Sequence, residues 1–168
     1  MLNRLFAKKN NDGSASELNA LYAPMTGTII PIEEVPDPVF SGKMLGDGVA
    51  ILPSSGEVLA PFAGEVVSLF PTGHAIGLIS ESGVECLLHI GIDTVELNGS
   101  GFTAKVKQGD KVKRGQLLIK ADLEAIRTAG KDIVTPVIIT NANEWKPVAL
   151  ASGEVQAGKD IIYRVERL

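Results

Sequence analysis

Two stretches of the 168-residue sequence share one pattern, and this pattern decides the fold: YAPMTGTIIPI (residues 22–32) and LAPFAGEVVSLF (residues 59–70). Each contains Ala-Pro, two residues of which the first is apolar, a glycine and then an apolar run. Proline cannot donate to a strand ladder, so Pro24 and Pro61 are expected at strand entrances or edges. A looser relative of the pattern ends the segment ASGEVQAGKDIIYRV (151–165). The repetition predicts a duplicated β architecture.

Other apolar runs bounded by turn residues predict further strands at residues 48–53, 74–80, 84–90, 117–119 and 135–140. Asp122 is a candidate N-cap for one short helix from Leu123 to Ala129, which Gly130 would end. The 18 glycines, the nine prolines and an aromatic content of 5% also favour short strands and tight turns. The predicted fold is all-β: an antiparallel β-sandwich or partly closed barrel, built from a duplicated motif, with a minor short helix.

The N-terminal residues differ in composition from the rest. NNDGSASELN (10–19) is small and polar, which is typical of a flexible linker. We therefore divide the chain into a flexible N-terminal segment (1–20) and one globular domain (21–168). MLNRLFAKKN places Leu2, Leu5 and Phe6 at helical spacing beside basic residues. A weak contact of residues 1–9 with a membrane surface and a solvated tail are the two alternatives.

Charge and cysteine content exclude several classes of function. The net charge of −4 offers no basic field for nucleic acid. Cys86 is the single cysteine, which excludes an intramolecular disulfide and any multi-thiolate metal site. No apolar run reaches the roughly 18 residues of a membrane span. We expect a cytoplasmic location.

The only two histidines, His74 and His89, flank one predicted hairpin. A two-residue loop would pair them directly, with both rings on one face of the sheet. A three-residue loop with Gly83 in the left-handed conformation would pair Ala75 with His89 and send His74 to the other face. Spacing alone leaves both registers open.

Two facing imidazoles have two chemical uses. They could bind zinc, but a catalytic zinc takes three protein ligands, so the third would come from Asp93, Glu85 or a partner protein. Alternatively, one neutral imidazole could accept a phosphoryl group while the other donates a hydrogen bond to it, with Thr72 lending a hydroxyl. Ordinary, partly buried histidines are the third interpretation.

Several blocks in order resemble one known family: APMTGTIIPIEEVPDPVFSGKMLGDGVAILPSSG, APFAGEVVSLFPTGHAIGLISESGVECLLHIGIDTVELNGSGF, KVKQGDKVKRGQLL and TPVIITN. From about Leu21 to Leu168 the chain is similar to the glucose-family enzyme IIA (EIIA) of the bacterial phosphoenolpyruvate-dependent sugar phosphotransferase system. LLHIGIDTVELNGSGF is the most specific block. The resemblance implies an antiparallel β-sandwich.

The resemblance also implies roles for individual residues. His89 matches the histidine that is phosphorylated, His74 the second active-site histidine, which hydrogen-bonds the phosphoryl group, and Thr72 the hydroxyl that supports His74. The family further has an apolar docking surface with acidic residues at its edge, although core packing is an equal alternative for the two phenylalanines concerned. The matching positions are Val39, Phe40, Leu45, Phe70 and Val95, with Asp37 and Asp93 at the edge.

In the family, the phosphoryl group arrives from the phosphocarrier HPr and leaves to a cysteine on the IIB domain of a sugar permease. Unphosphorylated members also bind regulatory target proteins. The resemblance thus implies a phosphocarrier subunit that requires no cofactor. Zinc held by His74, His89 and a partner's carboxylate is the alternative use of the site.

The sequence departs from the family pattern, and two rival families fit less well. Leu87 stands where some members have an aromatic residue, which reshapes the docking surface. The 168 residues contain no IIB or IIC region, so we expect either a separate subunit or a domain cut from a longer protein, and the initial Met1 favours the separate subunit. Lys43 lacks the neighbours of a biotinyl or lipoyl lysine, and a zinc peptidase of similar fold would need a third histidine.

Overall fold

The computed structural model describes residues 19–168, and most of its regular structure is β. Two short helices, α1 (Pro38–Ser41) and α2 (Leu123–Thr128), and two 3-10 turns, Ile32–Glu34 and Thr94–Leu97, interrupt the strands. No helix in this part of the chain is long and apolar enough to cross a membrane. The strands are β1 (Ala20–Tyr22), β2 (Gly27–Pro31), β3 (Asp47–Pro53), β4 (Glu57–Leu59), β5 (Gly64–Leu69), β6 (Ala75–Ser80), β7 (Glu85–His89), β8 (Phe102–Ala104), β9 (Lys111–Val112), β10 (Leu117–Ala121), β11 (Thr135–Ile139), β12 (Trp145–Val148), β13 (Glu154–Val155) and β14 (Ile161–Arg167).

The strands form one large and two small sheets, and every pair is antiparallel. The large sheet has the order β13-β2-β3-β11-β7-β6-β5-β9. The small sheets have the orders β1-β14-β12 and β4-β10-β8. This arrangement confirms the predicted all-β sandwich. The expectation of a single short helix was incomplete, because α1 accompanies α2, which Asp122 caps as predicted by accepting from the Ala125 amide.

Reciprocal hydrogen bonds join the two copies of the repeated pattern. The Tyr22 amide donates to the Pro61 carbonyl over 3.0 Å, and the Leu59 amide donates to the Pro24 carbonyl over 2.8 Å. Each donor lies two residues before the proline of its own copy. The two Ala-Pro segments therefore meet around a local pseudo-twofold axis, as a duplicated motif predicts.

The glycine of each copy begins a strand of the large sheet. Gly27 pairs with Val155 of β13, and Gly64 pairs with Val112 of β9. A Cβ on Gly27 would lie 2.2 Å from the Leu52 carbonyl oxygen, so this close backbone approach requires glycine. The two edges of the large sheet are thus built in the same way.

Two hydrophobic clusters lie on opposite faces of the large sheet, and β11 is buried between them. Val137 and Ile139 face the larger cluster, which fills the sandwich, whereas Ile138 faces the smaller one. Because side chains alternate along a strand, both faces of β11 are covered and all five of its residues are buried. The segment 32–46 covers the smaller cluster, whose buried members are Ile32, Val35, Phe40, Ala50, Ile92, Val134 and Ile138.

The N-terminal predictions concern residues outside this description. Residues 1–18 are not among those described, so the linker, the membrane contact and the boundary at residue 21 stay predictions. The first strand begins at Ala20.

Candidate functional site

The β6–β7 hairpin has the second of the two registers left open by the sequence. Ala75 pairs with His89, and residues 81–83 form a three-residue loop that ends on Gly83 at φ 96°. His74 nevertheless does not go to the other face. It lies one residue before β6, after Gly73 at φ 72°, so the alternation of the strand does not fix its side chain. The ring centroids of His74 and His89 are 5.1 Å apart, with the planes at 80°.

His89 has one ring nitrogen held by the backbone. Its Nδ1 lies 2.7 Å from the Gly91 carbonyl oxygen. A carbonyl oxygen only accepts, so Nδ1 carries the proton and Nε2 keeps its lone pair. Gly91 has φ 76°, and a Cβ there would lie 2.5 Å from Thr94 Cγ2 and 2.8 Å from the Asp132 carbonyl oxygen. Only glycine fits this position, a requirement that we did not predict from the sequence.

His74 is only 3% exposed and is held by Thr72. Thr72 Oγ1 lies 2.5 Å from His74 Nδ1, and the Phe70 ring packs against the imidazole with centroids 5.2 Å apart. Burial, and secondarily the charge of a protonated His89, lower the pKa of His74 to about 4. The ring is therefore neutral at neutral pH.

His89 is also neutral under these conditions, for a different balance of reasons. Burial lowers its pKa below the usual value, while the hydrogen bond to Gly91 and the negative charges of Asp37 and Asp93 oppose that shift. The site thus offers an unprotonated, nucleophilic Nε2 and two nearby carboxylates that favour positive charge on the ring.

The comparisons with known proteins identify the family. The family model described as "phosphoenolpyruvate-dependent sugar phosphotransferase system, EIIA 1" matches residues 19–145. The chain belongs to this EIIA family. It is similar to a solved structure, the glucose permease IIA from Mycoplasma capricolum, with 43% sequence identity and a TM-score of 0.82 over 86% of this chain and 93% of that one. The resemblance read from the sequence is thereby confirmed.

The apolar positions expected on the docking surface of an EIIA divide into two groups. Val39, Leu45, Phe70 and Val95 are exposed large hydrophobic residues, and Phe70 is 43% exposed. Phe40 is 4% exposed and belongs to the smaller core cluster, but its ring also lies 5.0 Å from that of His89. Core packing therefore describes Phe40 and not Phe70.

In this EIIA, the local structure in and after α1 places Val39 and Leu45 at the surface. Asp37 caps α1 by accepting from the Val39 amide over 2.9 Å. Lys43, at φ 58°, holds the end of the segment through ion pairs to Glu33 (3.2 Å) and Asp47 (3.6 Å). Met44 is 73% exposed next to Leu45, a feature that we did not predict. The signal that the sequence offered for an exposed Met44 was an apolar residue between turn residues.

Two other predictions concern metal and thiol chemistry in this EIIA. Among residues 19–168, no three or more His, Cys, Asp or Glu side chains are grouped so as to hold a metal ion. A zinc site that His74 and His89 complete with a partner's carboxylate stays a prediction. Cys86 is buried on the core side of β7, and burial raises the pKa of its thiol, so it remains protonated.

Proposed function

We propose that this EIIA is a phosphocarrier in which Nε2 of His89 accepts a phosphoryl group from phospho-HPr and passes it to a cysteine on the IIB domain of a sugar permease. The observation that carries the proposal is the hydrogen bond from His89 Nδ1 to the Gly91 carbonyl, because it fixes the tautomer with a free Nε2 lone pair. Membership of the family supports the same reading.

In the first transfer, the Nε2 lone pair forms the new N–P bond while the N–P bond to the donor imidazole breaks. No proton needs to leave His89, because the existing proton stays on Nδ1 against the Gly91 carbonyl. The phosphorylated ring tends toward positive charge, which the carboxylates of Asp37 and Asp93 stabilise. In the second transfer, the IIB thiolate takes the phosphoryl group and His89 returns to its neutral form.

His74 is proposed to hold the phosphoryl oxygens. If the Thr72 hydroxyl donates to His74 Nδ1, the proton of His74 is on Nε2 and can donate to a phosphoryl oxygen. The depressed pKa of His74 keeps this donor neutral, which avoids a second positive charge beside His89. His74 is therefore a hydrogen-bond donor and not a competing acceptor of the phosphoryl group.

The exposed apolar residues Val39, Leu45, Phe70 and Val95 are proposed to dock HPr and IIB in turn. An apolar contact excludes bulk water, which protects the phosphohistidine from hydrolysis, while Asp37 and Asp93 receive basic partner residues. The same surface would bind regulatory targets when His89 is unphosphorylated. These partners imply a cytoplasmic location.

Phosphotransfer from phosphoenolpyruvate, enzyme I and HPr, followed by intact mass, tests the proposal. Wild type is expected to gain one acid-labile phosphoryl group, and His89→Gln none. His74→Gln is expected to accept the group but to transfer it poorly to a IIB domain. A wild-type protein that takes no phosphoryl group from phospho-HPr would disprove the relay.

A further inference from the structure

The loop after His89 has an unusual backbone. Within residues 91–101, five residues have positive φ: Gly91, Asp93, Asn98, Gly99 and Gly101. Asn98, at φ 52° and ψ 38°, ends the 3-10 turn Thr94–Leu97, and Gly99 follows at φ 90°. Asparagine tolerates the left-handed region because its side chain is short and polar. Asn98-Gly99 is also the only Asn-Gly pair in the sequence.

Three features of this pair leave the Gly99 nitrogen and the Asn98 side chain free to react once rotation of Asn98 from its ψ of 38° brings the nitrogen beside Cγ. Gly99 has no Cβ to shield its nitrogen. No residue in the described part of the chain accepts a hydrogen bond from the Gly99 amide, so the nitrogen is available. The Asn98 side chain is exposed, and its Nδ2 donates only a long hydrogen bond of 3.4 Å to the Glu96 carbonyl oxygen. Asn141 contrasts with it, because hydrogen bonds to Gly83 and Glu85 hold both ends of its amide.

We propose that Asn98-Gly99 is a site of spontaneous deamidation, and that its isoaspartyl product impairs the His74–His89 site. Hydroxide removes the Gly99 amide proton, the nitrogen bonds to Asn98 Cγ, and the Cγ–Nδ2 bond breaks to release ammonia. Water then opens the resulting succinimide at one of its two carbonyls, giving aspartate or isoaspartate at position 98. The net change is Asn plus water to an acid plus ammonia, and no oxidant or enzyme is required.

The isoaspartyl product matters because of what surrounds Asn98. It inserts a methylene into the backbone between the 3-10 turn and Gly99. The turn carries Thr94, whose hydroxyl donates to the Ile90 carbonyl beside His89. On the other side, Gly99 packs near Thr72, since a Cβ on Gly99 would lie 3.6 Å from the Thr72 carbonyl oxygen. Lengthening the chain here displaces the supports of both histidines.

The test ages the purified full-length protein in warm, mildly alkaline buffer. Peptide mapping and enzymatic methylation of isoaspartate follow the modification, and ring NMR signals of His74 follow the site. Asn98 is expected to deamidate faster than Asn143, which precedes Glu144. The aged fraction should show shifted His74 signals and phosphoryl acceptance slowed by roughly ten- to a hundredfold, since a misplacement of about 1 Å at a reacting site can cost about a hundredfold.

Two variants serve as controls. Asn98→Gly tolerates positive φ and cannot deamidate, so its His74 ring signals and its phosphoryl acceptance should not change with ageing. Asn98→Asp carries the new charge without the added methylene and should resemble fresh wild type. The inference is overturned if Asn98 reacts no faster than Asn143, or if protein shown to contain isoaspartate behaves as fresh protein does.

The effect on phosphoryl acceptance rests on the proposed function, and the two can fail separately. Fresh wild type that accepts no phosphoryl group contradicts the proposed function alone. Deamidation and the His74 ring signals still decide the inference in that case, because neither requires phosphotransfer.

Discussion

At the scale of single residues, Gly91 decides which nitrogen of His89 is free to react. Gly91→Ala would put a Cβ into Thr94 and Asp132 at a positive φ, so the carbonyl that accepts from His89 must move. We expect at least about a tenfold loss in the rate of phosphoryl acceptance, with destabilisation of roughly 1–3 kcal/mol. Rapid-quench phosphotransfer and urea unfolding measure the two effects. Gly83→Ala is the matched control, since it has φ 96° with nothing within 4 Å of the added Cβ, and it should keep full activity.

Thr72 acts on a different step. Thr72→Val removes the hydroxyl that fixes His74 Nδ1 while keeping the side-chain volume. Acceptance from HPr should change little, whereas transfer to IIB should slow by about tenfold, the usual cost of losing one oriented hydrogen bond. Thr72→Ser should restore the transfer. Equal losses in both steps for Thr72→Val would show a structural role instead.

At the scale of elements, α1 is coupled to His89 through Asp37. Asp37→Asn keeps an N-cap acceptor but removes a charge that raises the pKa of His89, so that pKa should fall further with little change in stability. Asp37→Ala should lower the pKa in the same way and also cost about 1 kcal/mol of stability through loss of the cap. NMR titration of the His89 ring, with thermal unfolding, separates the effects. An unchanged His89 pKa in Asp37→Asn would contradict the coupling.

The hairpin elements also show what the sequence could predict. Two apolar runs and the Glu81-Ser82-Gly83 turn between them located both strands, because those signals are local. The sequence did not predict how His74 reaches His89 in the observed register. That depends on the turn at 70–74, where Gly73 packs against the loop 99–102: a Cβ on Gly73 would lie 3.1 Å from Phe102 Cβ. Contacts between residues so distant in sequence leave no local pattern.

At the scale of the whole molecule, burial of His74 makes the fold sensitive to acid. The pKa of His74 is about 4 in the folded protein and near 6.5 when unfolded, so between these values the unfolded chain binds more protons. Stability should therefore fall as pH drops from about 6.5 to about 4, by at most about 3 kcal/mol from this group, and the lowered pKa of His89 acts in the same direction. Urea unfolding of wild type across this range, compared with His74→Gln, isolates the contribution. Wild type should lose stability relative to His74→Gln as pH decreases, and a constant difference would contradict this account.

The duplicated architecture was the most predictable property of the molecule, because both Ala-Pro copies are written in the sequence. The short strand β12 was not predicted because Pro147 interrupts its pattern; β12 is an edge strand, where a proline is tolerated.

The position of β11 between the two clusters has a consequence for how the molecule opens. Its amides lie between β3 and β7, and each of its faces is covered by a different cluster. Loss of one cluster's cover therefore leaves β11 paired on both edges and covered on its other face. The amide protons of Val137, Ile138 and Ile139 should therefore exchange with deuterium only when the whole domain unfolds. The segment 32–46, which covers one face, can then fluctuate while the strand beneath it stays protected.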